Sequence, residues 1–189
     1  KRGRRCVIEY DLDVDRAAFG RAVVTVVGKA RARGTDERTH ALACALWRAG
    51  FGANSADGIS IPEPLGCVRE ANMWVQRKVP GRPAMALLSE PDGVLLAGRI
   101  GAALQKLQSQ GPAAGRVHDL PDELRVLRQR LTLLGRARPA WSARLERVLE
   151  ACTRLAASVP VPTLTAVHRD FHPDQVLVDG GRMTLNYVV

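Results

Sequence analysis

Aromatic residues are scarce: three Trp, two Tyr and three Phe make up 4% of the 189 positions. A nucleic-acid platform that stacks bases needs interleaved rings, and the basic residues form no clustered stripe, so that class is disfavoured. Apolar runs are short as well. None approaches the roughly 20 uninterrupted residues of a membrane-spanning helix. The four cysteines, Cys6, Cys44, Cys67 and Cys152, form no Cys-x-x-Cys pair and none stands beside a histidine at ligand spacing. Neither a disulfide framework nor a zinc site is expected. Buried thiols in a reducing compartment are the default, which makes the expected location cytoplasmic. The basic start, Lys1 to Arg5, lacks the apolar stretch and cleavage site of a signal peptide. The chain also opens without Met and reads as a piece of something longer.

The rest of the composition is ordinary. With 46% hydrophobic and 25% charged residues, collagen-like, mucin-like and wholly disordered classes are excluded. The length suits one domain or two small lobes. A formal net charge of +9 allows a polyanionic partner without demanding one, because the arginines are scattered among alanines and leucines as on solvated helix faces.

The first third reads as strands around one helix. Residues 6–12 and 22–29 are β-branched runs expected to pair antiparallel, with a turn over 13–20. Thr35 or Asp36 can cap a helix that Gly50 ends. Residues 59–65, 67–68 and 73–76 are extended, and the Pro- and Gly-rich stretch 79–83 is a turn. A lobe boundary is placed there, giving an N-lobe of residues 1–79 and a C-lobe of 80–189. Three apolar stripes at helical spacing follow: Leu96 to Leu107, Leu120 to Leu134, and Trp141 to Leu155. All are expected to be core. The end returns to strand, at 164–167, at 176–178 and, after the Asp179-Gly180-Gly181 turn, at 183–185. The class is α+β.

Chemistry concentrates in Val167-His-Arg-Asp170-Phe-His-Pro-Asp174-Gln175-Val-Leu-Val-Asp. Asp170 lies in a loop after a strand, and the amide of Gln175 follows five residues later. A carboxylate can orient and deprotonate a hydroxyl. An amide oxygen is a hard ligand suited to Mg²⁺. Phosphoryl transfer needs such parts, since positioning and charge neutralisation supply most of its catalysis.

This segment resembles the Brenner motif of aminoglycoside phosphotransferase-like kinases, His-Gly-Asp-Leu-His-Pro-x-Asn-Val-Leu-Val-Asp, which is related to the His-Arg-Asp loop of protein kinases. The resemblance implies a protein-kinase-like fold with a small antiparallel-sheet N-lobe and a mainly helical C-lobe. It also implies ATP and Mg²⁺ as cofactors and a small-molecule hydroxyl as phosphate acceptor. Residue by residue, it makes Asp170 the catalytic base, gives Gln175 the place of the magnesium-binding Asn, and makes His168 a support of the loop. Upstream and more loosely, Val27-Gly28-Lys29 resembles the strand whose lysine holds the nucleotide phosphates, with Glu37 as its acidic partner. The segment Met73-Trp-Val-Gln-Arg-Lys-Val-Pro-Gly81 resembles the approach to the hinge that contacts adenine, which carries Gln76 and Lys78 over as nucleotide-binding.

Two departures matter. Where the family has a magnesium-binding Asp after the hairpin, the register places Tyr187. With residues 6–12 read as the second strand, the glycine-rich loop is missing, as are the acceptor-binding helices, so the chain is expected to be trimmed at both ends and weakly active or inactive. A non-catalytic, pseudokinase-like module that binds nucleotide or a partner is the alternative. A metal hydrolase built on His168, Asp170 and His172 is disfavoured by Pro173 and by the lack of further histidine ligands. Taken singly, Lys29 reads first as a surface lysine closing a strand, Glu37 equally as a solvated first-turn acid, and Gln175 also as a strand cap. The alternating Glu9, Asp11, Asp13 and Asp15 read as an exposed strand edge.

Overall fold

The computed structural model describes residues 5–16, 20–112, 117–160, 163–165, 167–168 and 171–186. The chain divides into two units, residues 1–113 with 165–189, and residues 114–164.

In the first unit, β1 (Arg5–Arg16) and β2 (Gly20–Arg31) form a long antiparallel hairpin in register from Arg5 opposite Arg31 to Arg16 opposite Gly20. The strand thus reaches into the span 13–20 expected to be a turn, because the alternation of Asp13, Val14 and Asp15 continues it to Arg16. Next, α1 (Glu37–Leu46) is capped by Asp36, whose Oδ1 accepts from the Thr39 N–H at 3.3 Å. A turn of π-helix, Trp47–Phe51, follows, and Gly50 ends the helical run with φ at +97°, a left-handed conformation that costs glycine little. The short β3 (Ile59–Ser60) leads to β4 (Pro64–Val68) and β5 (Met73–Arg77), and the first sheet has the order β1-β2-β5-β4.

Leaving that sheet at Arg77, the chain returns at β6 (Arg82–Pro83) to a second one that already holds β3. A short α2 (Ala84–Leu87) and the long α3 (Gly93–Gln110) follow. The unit closes with β7 (Val176–Asp179) and β8 (Arg182–Leu185), the hairpin expected at its Gly-containing turn. The second sheet has the order β3-β8-β7-β6, and β3 runs parallel to β8. Residues 163–165 and 167 form no strand. Their apolar run was expected to be one, but among the described residues no strand pairs with it, and extended backbone without a ladder has little to fix it.

One apolar core joins α1, both sheets and α3, with Phe51, Leu46, Met183, Leu185 and Val176 at its centre. Lys106 on α3 lies inside it. Its Nζ donates to the Gly50 and Ile59 carbonyls, each at 2.9 Å, and to Asp57, and it sits 4.4 Å from the Phe51 ring centroid. A buried ammonium is tolerated because all its donors are engaged.

In the second unit, α4 (Leu120–Ala137) is capped by Asp119, which accepts from the Asp122 N–H at 3.0 Å. A 3₁₀ turn, Pro139–Trp141, leads to α5 (Ser142–Ser158). The two helices pack on each other, yet neither contains a fully buried residue. The expectation that both stripes are core is corrected: Leu134, Trp141, Val148 and Leu155 are exposed. Helical periodicity marks an apolar face but does not say how completely that face is covered. The thiols are corrected likewise, since Cys6 is exposed and Cys44, Cys67 and Cys152 are half-buried. Among the described residues no helix is long and apolar enough to cross a membrane.

Candidate active site

The site begins with Lys29. The β2 register places it opposite Val7 on one side and Trp74 on the other, so all three side chains stand on one face of the first sheet. Its Nζ lies 4.8 Å from the Trp74 ring centroid and donates to the Asn186 carbonyl at 3.4 Å. An indole face attracts a cation held above it. Burial pushes the Lys29 ammonium down to about 8, because removal from water penalises the charged form. Gly28 fits the opposite face closely: a Cβ there would run into Met73 Sδ and come within 3.1 Å of Tyr10. The absence of a side chain lets Met73 and Tyr10 pack behind the lysine.

Gln76 shares the Trp74 face by strand alternation and is 3% exposed. Its Nε2 donates to Asn186 Oδ1 at 3.3 Å. Asn186 directly follows β8, and its N–H donates to the Gln175 carbonyl at 2.7 Å, which adds one bond to the β7–β8 ladder. Gln175 ends a 3₁₀ turn, Pro173–Gln175, and its N–H donates to the His172 carbonyl at 2.9 Å. The Gln175 side chain is buried, and its Oε1 has no hydrogen-bond partner among the described residues. His168 is buried and meets the Phe171 ring edge-on at 5.5 Å.

Of the residues singled out in the sequence, the structure thus brings Lys29 and Gln76 onto one residue, Asn186, which is bonded in turn to Gln175. It does not bring Glu37 to the lysine. That carboxylate is half-exposed and pairs with Arg69 Nε at 2.7 Å; the α1 residue beside Trp74 is His40, with ring centroids 6.1 Å apart. Lys78 pairs with Glu9 at 2.5 Å on the exposed surface. Asp170 and Tyr187 lie outside the described residues. His172 faces Asp174, Nδ1 to Oδ2 3.7 Å. Among the described residues no three His, Cys, Asp or Glu side chains are grouped to hold a metal.

Trp74 and Asn186 are the members that sequence reasoning missed. Each left a signal. Trp74 alternates with Gln76 along β5, and Asn186 is a lone amide directly after β8. Chemically, the cluster offers an ammonium in a largely dry setting and a buried amide oxygen awaiting a partner. The first suits a phosphate and the second suits a hard cation such as Mg²⁺.

An antiparallel sheet carrying a half-buried lysine, joined to a hairpin whose base carries an amide, belongs to the kinase-like phosphotransferases. A family model described as the phosphotransferase enzyme family, APH, matches residues 12–185, and the chain belongs to that family. Two solved structures share the fold. One is the apoenzyme of macrolide 2′-phosphotransferase MphH from Brachybacterium faecium, 17% identical, with a TM-score of 0.53 over 96% of this chain and 64% of that one. The other is spectinomycin phosphotransferase APH(9)-Ia in complex with ADP and spectinomycin, 14% identical, with a TM-score of 0.55 over 96% of this chain and 62% of that one. The chain spans less than two thirds of the length of either. None of the curated proteins compared matches its sequence.

Proposed function

We propose that this chain carries the nucleotide site of an ATP-dependent phosphotransferase that acts on a hydroxyl of a small molecule. The observation that carries the reading is the convergence of Lys29, Gln76 and Asn186, with Asn186 bonded to the loop of Gln175, in a member of a phosphotransferase family. Lys29 binds the α- and β-phosphates of ATP as an ammonium. Gln76 stands at the back of the site, where β5 approaches the adenine end, and Lys78 follows it at the rim. Gln175 Oε1 holds Mg²⁺, which neutralises phosphate charge when bound. Asp170 takes the acceptor proton as the hydroxyl oxygen bonds to the γ-phosphorus and ADP departs. His168, packed on Phe171, holds that loop in place. Macrolides and spectinomycin, which the two neighbours' names mention, are the first acceptors to try.

Calorimetry with ATP, in the presence and absence of Mg²⁺, tests the nucleotide role. Wild type should bind ATP more tightly with Mg²⁺, and Lys29→Ala should weaken binding. Equal affinity in the two proteins would remove Lys29 from the site. A second reading, a non-catalytic nucleotide-binding module, has one observation in its favour: Leu185-Asn186-Tyr187 carries no carboxylate. ATP binding without phosphate transfer to any acceptor would select it. Phosphate transfer that Asp170→Asn abolishes would reject it.

A further inference from the structure

Asn186 has an unusual set of bonds for one residue. Its carbonyl accepts from Lys29 Nζ at 3.4 Å, its side-chain oxygen accepts from Gln76 Nε2 at 3.3 Å, and its N–H donates to the Gln175 carbonyl at 2.7 Å. Lys29 and Gln76 stand on adjacent strands of the first sheet, whereas Asn186 directly follows a strand of the second and Gln175 directly precedes that strand's partner. All three bonds therefore meet at the junction of the two sheets. Gln76 and Gln175 are buried, where water competes little and a hydrogen bond holds its geometry.

We propose that Asn186 is a positioning residue of the nucleotide site, fixing the Lys29 ammonium of one sheet relative to the Gln175 loop of the other through its amide bond to Gln76. The inference rests on the nucleotide-binding reading above. Phosphate binding by a lysine and a metal-holding amide demands a fixed separation between them, and small displacements cost binding and rate. Within each sheet the backbone ladder sets such separations. Between the sheets that task falls to side chains, and the Gln76–Asn186 pair joins the lysine's neighbouring strand to the residue that touches both partners. Asn186 sets where Lys29 stands and exchanges no proton or phosphoryl group with the substrate.

The test is calorimetry of ATP with Mg²⁺ on the full chain, with thermal melts to confirm that each protein is folded. Asn186→Ala and Gln76→Ala should each weaken binding about fivefold, the worth of one net hydrogen bond. The exchanged pair, Gln76→Asn with Asn186→Gln, keeps the combined length and both amides, and it should bind ATP more tightly than either single variant. That rescue separates positioning from a contribution to stability alone, which leaves the affinity of the folded molecules unchanged. Wild-type affinity in both folded single variants overturns the inference and leaves the nucleotide reading standing. Failure of the exchanged pair to regain affinity also overturns it. If wild type itself binds no ATP, the nucleotide reading falls and the inference with it. Should Asn186→Ala not fold, Asn186→Ser serves in its place with the same expectation.

Discussion

The two units bury their apolar residues very differently. In the first, Phe51 and Met183 are wholly shut off from water and Leu46 and Leu185 nearly so, whereas neither helix of the α4–α5 pair buries any residue fully. Both units carry clean apolar periodicity. Only the first brings sheets and helices onto one core from several directions, and that is also where polar groups change character. The Lys29 ammonium is pushed down by burial there, and Lys106 must have every donor engaged.

The contrast can be broken most forcefully at its centre. Phe51→Ala should cost about 3–5 kcal/mol by denaturant unfolding, from lost transfer energy and the cavity left behind. Leu155→Ala, at a residue 66% exposed, should stay within about 0.5 kcal/mol of wild type. Comparable losses at the two positions would erase the distinction.

The next effect depends on pH. The folded pKa of Lys29, about 8, lies below its ordinary value of 10.5. Below pH 8 both states bind the proton, and the fold carries the full cost of a buried charge. Between 8 and 10.5 the folded protein loses its proton first, so this lysine's effect is a stability that rises with pH. The increment should approach about 3 kcal/mol at most and be missing in Lys29→Met. A matching rise in the variant, seen in denaturant unfolding at the two ends of that window, would assign it to another group. Across the same window ATP affinity should fall in wild type as the ammonium is lost.

Lys106→Met comes third. It strips the Gly50 and Ile59 carbonyls and Asp57 of their donor and should destabilise by about 2–3 kcal/mol. Lys106 and the Ile59 N–H together hold the Asp57 carboxyl below its ordinary range despite its partial desolvation. A depressed carboxyl contributes stability that is present above its unfolded pKa and lost as pH falls through the folded one. Asp57→Asn should remove that part of the acid sensitivity, read from melting temperatures down to pH 3. The smallest effect sharpens the other side of the comparison. Asp119→Ala deletes the cap of α4 and should cost the helical pair about 1 kcal/mol, visible as reduced helicity in circular dichroism.

Elements defined by local pattern were legible in the sequence: the β1–β2 hairpin from its β-branched runs, α1 from Asp36 and Gly50, the three long helices from their stripes, and β7–β8 from the Asp-Gly-Gly turn. The pairings of β3 with β8 and β6 with β7 were not. These strands are two residues long, too short for alternation to show, and their partners lie about a hundred residues away in sequence. The candidate site divides the same way. Lys29, Gln76 and Gln175 were found through a resemblance, but the bonds that join them run through Asn186, whose importance depends on a contact between sheets. Glu37 shows the converse. Its place in the first turn of α1 suggested a partner for Lys29, yet the helix presents it to Arg69. Lys106 had a readable sign, standing three residues after Ala103 and beside Leu107 on the apolar face of α3.

The Lys106 clamp has a practical use. Only four of the twenty-eight basic residues are lysines: Lys1, Lys29, Lys78 and Lys106. Amine acylation needs a lone pair, which an ammonium bonded to two carbonyls and a carboxylate under a phenyl ring does not offer. Lys106 should stay unmodified by an amine-reactive reagent while the core is closed and become modified once it opens. Peptide mapping of that single position would then report the integrity of the first unit, with no engineered probe.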